Sequence, residues 1–310
     1  MNPKLMSCLI FCLLSGLFVA PFVGAQPSSE KAVTVYVGVW MVSVEQVDLA
    51  DNSYKLDFYL WFGFNSSQIS LEQVKQFEFI NGSPDVYLVD SDDQGYLEYR
   101  VTGTFTKTFD FTNYPFESQE LTIKLENKLL NSSALVFLAS DVSGIDQEVS
   151  VAGWNLHSFE VNVAEHMYDS ESFSRFSTVV VLQRPFVSSF VKSVLPIVII
   201  TAISLLAFFM APADFAQKIG IGVTTLLAAT AFHLSLVGGI PPTGYLTFAD
   251  RMMVGVYVIF LYNLSVSVYG MRLFRKGSQE AEKFDRKALR ILPVFLLIVV
   301  GIVVLTHLIS

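Results

Sequence analysis

"KIGIGVTTLLAATAFHLSL", residues 218–236, is long and apolar enough to cross a bilayer as a helix. Yet it opens on a lysine, carries glycines and threonines, and ends beside a histidine. A helix wetted only by lipid has no need of such residues. Wound as an α-helix, Gly220, Thr224, Leu227, Ala231 and Leu234 recur at spacings of 4, 3, 4 and 3 and share one face. That face is small or hydroxylated at its first end and carries leucines further along, while Ile219, Val223, Leu226 and Phe232 fall elsewhere. One such helix cannot enclose a water path. Several copies around an axis can, with small residues where the path narrows and Leu227 forming an apolar ring that closes by excluding water. The same spacing also suits close packing between membrane helices, so the stripe alone leaves both uses open.

The surrounding chain has 310 residues, 52% of them hydrophobic. That composition suits a membrane protein with a sizeable soluble part. Residues 1–25 read as a signal peptide: Lys4 is the positive start, Leu5–Ala20 the apolar stretch, and Val23-Gly24-Ala25 the small residues before a cut at Gln26. Both cysteines, Cys8 and Cys12, lie in this segment, so the mature chain is expected to hold no disulfide, thiol nucleophile or cysteine metal site. No cofactor motif stands out. Residues 26–184 carry 23 acidic against 9 basic side chains. That balance excludes nucleic acid as a natural partner and attracts cations to the domain surface.

Within 26–184, "AVTVYVGVW" (32–40), "YKLDFYLWFGF" (54–64), "YLEYRVTGTFTKTF" (96–109), "QELTIKLE" (119–126), "LHSFEVNVAE" (156–165) and "FSRFSTVVVLQ" (173–183) are rich in Val, Thr, Phe and Tyr, and many alternate apolar with polar residues. Turn clusters separate them, and no helix-periodic segment interrupts them. An extracellular all-β, immunoglobulin-like antiparallel sandwich is expected. "DSDDQG" (90–95) has the look of a calcium loop, but Val101 stands where the closing glutamate belongs, and a hairpin turn is the better reading. After Arg184, four apolar spans near 186–209, 219–238, 252–273 and 288–309 predict an all-α four-helix transmembrane pore domain, 185–310. Pro196 is expected to bend the first helix. The loop 274–287 and its flanks hold Arg272, Arg275, Lys276, Lys283, Arg286, Lys287 and Arg290. The positive-inside rule places that loop in the cytoplasm and the β-domain outside, in agreement with the signal peptide.

Four motifs in order resemble the pentameric ligand-gated ion channels, or Cys-loop receptors, and most of all their bacterial branch. "FDFTNYPFESQELTIKL" (109–125) resembles the signature loop, centred on Tyr114, Pro115, Phe116 and Glu117. Arg184, twelve residues before Pro196, resembles the arginine ahead of the first membrane helix. "KIGIGVTTLLA" (218–228) resembles the pore helix, and "IPPTGYLT" (240–247) the loop joining helices two and three. The resemblance runs from about residue 33 to the end. Departures are Lys107 and Leu121 in place of the paired cysteines, and the absence of a Trp-x-Pro near Gln73-Val74-Lys75 and of a binding-site tryptophan near Lys128.

The resemblance implies a homopentamer in a bacterial inner membrane, in contact with membrane lipids. Its β-domains face the periplasm, and a small-molecule, proton or divalent-ion agonist binds between them to pass inorganic ions. Coupling to the pore is expected from Pro115, Glu117 and Arg184, with Asp48 or Asp51 as a second partner for the arginine, and from Pro241, Pro242 and Tyr245. The inner mouth would be Asp214, Ala216, Gln217 and Lys218. Ala216 and Gln217 stand where cation-selective relatives place an acid, whereas the acidic outer domain favours cations, so the ion sign stays open. Aromatic lining for an agonist is expected from Phe64, Phe77, Phe79, Tyr168, Phe173 and Phe176, any of which a sandwich core could equally claim. His233, beside Leu234, either points sideways into a helix contact or senses protons. The competing readings are a tethered periplasmic hydrolase, for which no nucleophile elbow or His-Glu-x-x-His is present, and a membrane-anchored receptor or binding module without channel activity.

Overall fold

Alternation of apolar and polar residues builds the first half. In β1 (Val33–Asp48), Val35, Val37, Val39 and Met41 point inward while Tyr36 and Trp40 point out. Its partner β2 (Ser53–Phe64) matches that register, pairing Val37 with Phe62 and Val39 with Leu60. The computed structural model describes residues 32–92 and 94–309; the expected signal peptide with Cys8 and Cys12 lies outside them.

Two sheets form the β-domain. One orders β4 (Asp85–Asp92), β5 (Tyr96–Thr106), β2, β1 and β7 (Leu135–Ala139), with β8 (Gly144–Ile145) also on β1. The other orders β3 (Phe77–Phe79), β6 (Ser118–Asn127), β10 (Glu171–Gln183) and β9 (Asn155–Tyr168). Their inner faces meet through Phe58 against Phe79 and Phe62 against Phe77. This is the expected sandwich, with two differences. β7 and β8 pair parallel to β1, so the sheet is not purely antiparallel. A four-residue helix, α1 (Leu71–Val74), interrupts the strands; it is too short to show a period and is held by a Ser70/Gln73 capping box. "DSDDQG" begins as the end of β4 and finishes in a turn into β5, where Gln94 N–H donates to Asp92 Oδ1 and Gly95 takes φ +121°. A Cβ at Gly95 would lie 1.9 Å from the Phe64 carbonyl oxygen, so only glycine fits.

Four helices long and apolar enough to cross a membrane follow: α2 (Phe186–Phe209), α3 (Phe215–Val237), α4 (Phe248–Phe274) and α5 (Ser278–Ile309). The protein is an integral membrane protein with a β-domain on a four-helix bundle. Residues Phe190–Val194 of α2 form a π-turn directly before Pro196. Proline lacks the N–H that Lys192 O would otherwise receive, and the widened turn absorbs the break. The loop expected at 274–287 is shorter, since α5 already begins at Ser278. Its first turns are charged, and an i,i+4 pair between Glu282 and Arg286 supports them, so a search for apolar runs passes over them.

Candidate functional site

The signature loop, between β5 and β6, rests on the bundle and touches α2, α3 and α4. Phe109, Phe111, Tyr114 and Pro115 are buried. The first N–H groups of a helix have no partner within it. Here the loop supplies them: Thr112 O accepts from Phe248 N at 2.9 Å and Tyr114 O from Ala249 N at 3.0 Å. Tyr114 Oη donates to the Leu236 carbonyl at the end of α3, 2.8 Å away. Phe116 packs between the rings of Phe186 and Phe248.

Glu117 and Arg184, 67 residues apart, meet at 2.7 Å (Nε to Oε1). Arg184 N–H also donates to Glu117 O. The Glu117 side chain is 2% exposed and that of Arg184 25%. The guanidinium lies over the rings of Trp154, at 4.6 Å, and Tyr114. A carboxylate this buried needs its cation, and the arginine spreads its remaining charge over two aromatic faces. Asp48 does not join them. Its carboxylate caps its own turn by accepting from Asp51 N–H, and the acid paired with Arg184 is Glu117. Lys107 and Glu120 pair at 2.6 Å across the base of the loop, beside the positions where the resemblance looks for cysteines.

Between α3 and α4, Tyr245 Oη accepts from Phe111 N–H at 2.9 Å and donates to Asp110 Oδ1 at 3.3 Å. Asp110 is held below the usual carboxylate range, first by the Thr112 hydroxyl and N–H and then by Tyr245. Pro241 is half-buried and Pro242 exposed in the same loop. Tyr245→Phe removes both bonds without changing the ring. Each is worth roughly 1 kcal/mol, about 2 kcal/mol together, so the half-maximal agonist concentration is expected to move by up to about thirtyfold, with assembly intact. Identical dose–response curves for mutant and parent would remove Tyr245 from the coupling.

With the chain taken by itself, Gly220, Thr224, Leu227, Ala231 and Leu234 of α3 are all exposed. Lys218, Gly222, Thr225, Ala229 and Leu236 are buried against the rest of the bundle. At the start of α3 Asp214, Ala216 and Gln217 are exposed, while Lys218 turns toward Asp285 of α5. Lys218 therefore does not share a surface with its three neighbours. His233 is half-buried between α3 and α4, with Nε2 3.0 Å from Asp250 Oδ1 and Nδ1 3.1 Å from Tyr257 Oη. Asp250 also caps α4 through Thr247.

The six aromatics divide. Phe64 and Phe176 belong to the buried core, and Phe77 and Phe79 pack edge-on to each other inside the sandwich against Phe62, Tyr99, Phe58 and Phe105. Phe64 and Phe176 are corrected to core residues, since a ring sealed between two sheets has no face left for an agonist; Phe77 and Phe79 are half-buried and take part in the ring cluster at the edge of that core. Tyr168 and Phe173 remain together near the tip of the β9–β10 hairpin, their rings 5.9 Å apart. Tyr168 Oη joins Glu126 and Arg175, which pair at 2.6 Å. Neither Trp154 nor Asp285 was expected. Trp154 lies 30 positions from Arg184 and Asp285 67 from Lys218, too far along the chain for spacing to pair them.

A family profile described as the neurotransmitter-gated ion-channel transmembrane region matches residues 193–300. The chain is 22% identical over 260 residues to a proton-gated ion channel of Gloeobacter violaceus, covering 76% of this chain and 72% of that one. It is 22% identical over 276 residues to the acetylcholine receptor subunit alpha-type deg-3 of Caenorhabditis elegans, covering 80% and 48%. It is 26% identical over 149 residues to the neuronal acetylcholine receptor subunit beta-2 of Rattus norvegicus, covering 48% and 29%. The aligned region thus spans about half or less of those receptor subunits.

Proposed function

We propose that the chain is a member of the pentameric ligand-gated ion channel family, a channel subunit whose pore is opened by an agonist bound between outer domains; the profile match and the channel relatives support this reading. Identical copies ring an axis in a bacterial inner membrane with the β-domains in the periplasm, and α3 lines the pore. The agonist enters beside Tyr168 and Phe173. The junction of Glu117, Arg184, Pro115, Pro241, Pro242 and Tyr245 carries the outer domain's movement to the end of α3.

The carrying observation is the division of α3 into two stripes. One is packed on its own bundle; the other is exposed and bears Gly220, Thr224, Leu227, Ala231 and Leu234. A membrane helix that spends an exposed face on glycine, threonine and alanine is suited to water at a shared axis. The outer end of the same helix is hydrogen-bonded to the signature loop through Tyr114, so a pore wall and its lever meet in one element.

Purified protein in vesicles should pass ions. Thr224→Cys should react with a water-borne thiol reagent faster when the channel is open, and Thr225→Cys, on the packed stripe, should stay protected. Vesicles that never conduct would favour a receptor without channel activity. Reactivity of the Thr225 variant alone would put the wrong face on the axis.

A further inference from the structure

Lys218 sits two residues before Gly220, where the exposed stripe of α3 begins, and its charge is answered from another helix. Its Nζ lies 2.5 Å from Oδ2 of Asp285, and the two side chains are 6% and 15% exposed. Gly270 of α4 makes room for this acid: a Cβ there would stand 3.1 Å from Asp285 Oδ1. On its other side Asp285 borders a cleft of about 250 Å³ with Phe208, Met210, Pro212, Glu282 and Arg286. Glu282 and Arg286 pair with each other at 3.0 Å and add no net charge.

We propose that Asp285 sets the sign of the permeant ion by neutralising Lys218 and holding it off the pore, which makes the inner mouth cation-preferring. The proposal rests on α3 being the pore wall. Three charges carried by α3 itself act at that mouth in each subunit. Asp214, at the start of α3, is exposed and makes no side-chain cap bond to the helix. The helix N-terminus opposes it with roughly half a positive charge. Lys218 would add a full positive charge if it were free. With Asp285 in place the mouth keeps about half a negative charge per subunit; without it the balance becomes about half a positive charge. Repeated around a ring, a charge of either sign enriches its counter-ions at a narrow entrance. The residue deciding the sign thus lies on α5, away from the pore-facing stripe.

The test is the reversal potential of the full-length channel in bilayers across a potassium chloride gradient. The parent protein is expected to prefer potassium. Asp285→Asn should lower the cation-over-anion permeability ratio roughly tenfold, and adding Lys218→Met should restore it. A parent that prefers chloride overturns the proposal. So does an Asp285→Asn variant indistinguishable from the parent, or a double variant as anion-leaning as the single. If Asp285→Asn does not assemble, the double variant Asp285→Asn/Lys218→Met, which leaves neither charge buried alone, carries the test. Removing a pair that already sums to zero should leave the ratio within about twofold, and a change of about tenfold in either direction would show that one member of the pair had been acting on ions all along. A readout without current is acylation of Lys218 by a water-soluble amine reagent, followed by peptide mass. Lys218 should be protected in the parent and labelled in Asp285→Asn. If nothing conducts, the channel reading falls while labelling still decides whether Asp285 holds Lys218; equal labelling overturns that as well.

Discussion

Glu117→Gln is expected to uncouple the outer domain from the pore and to destabilise the junction by about 3–5 kcal/mol, because it leaves the Arg184 charge partly buried without its counter-charge. The Arg184 side chain is 25% exposed, so water can offset only part of that loss. A domain stable by about 5–15 kcal/mol feels such a change as a large fraction of its whole margin. Arg184→Gln should cost more, since it strands a carboxylate that is 2% exposed. Its Oε2 has no hydrogen-bond partner among the described residues, so nothing else is in place to hold the charge. The decisive comparison is the double variant. If the two charges act as a pair, removing both should cost less than the sum of the single losses by about 1–3 kcal/mol in thermal or denaturant unfolding. Additive losses would mean that each residue acts through other contacts, such as the stacking of Arg184 on Trp154. Gating should not recover with stability: the double variant lacks the charge-assisted tie between β6 and the strand leading into α2, and agonist-evoked flux should stay low.

The parts legible in the sequence are those whose physics is local. β1 and β2 alternate along a half-buried face, and the four membrane helices are long apolar runs. β7 was missed because "LVFLA" is a short continuous apolar run with no alternation. β4 was missed because every one of its residues is exposed at a sheet edge, so no inward face marks it. The start of α5 was missed because its charged turns carry a helical pattern without hydrophobicity. At the junction, Glu117 and Arg184 could be paired in advance from charge and expected depth. The Trp154 and Tyr114 faces under the arginine come together only when β8, β9 and the loop are folded. The aromatics failed for a related reason. In a chain with 27 phenylalanines, composition cannot separate Phe176, sealed in the core, from Tyr168, near the hairpin tip. What distinguishes them is which sheet face each ring takes, and that depends on register.

Leu227→Thr is expected to let ions through without agonist. Leu227 is among the most exposed apolar side chains of α3 in the single chain, 66% open, at the middle of its exposed stripe. In a ring, one such leucine from each subunit makes a constriction whose closed state depends on water avoiding an apolar wall. Exchanging the isobutyl group for a hydroxyl-bearing one removes roughly 1 kcal/mol of that preference per copy. Across a pentamer this sums to about 5 kcal/mol, close to the roughly 5.5 kcal/mol that carries an equilibrium from 1:99 to 99:1. A small change per residue thus becomes a near-complete change of state because symmetry repeats it. Leu226→Thr is the matched control. It has the same chemistry one position away, but Leu226 is half-buried and packed against its own bundle, so the expected result is lost stability with the pore still closed. Spontaneous flux through the Leu226 variant with none through Leu227 would rotate α3 by one residue. Flux through neither would mean that the gate lies at another level of the stripe, with Leu234, equally exposed nearer the outer domain, the next position to substitute.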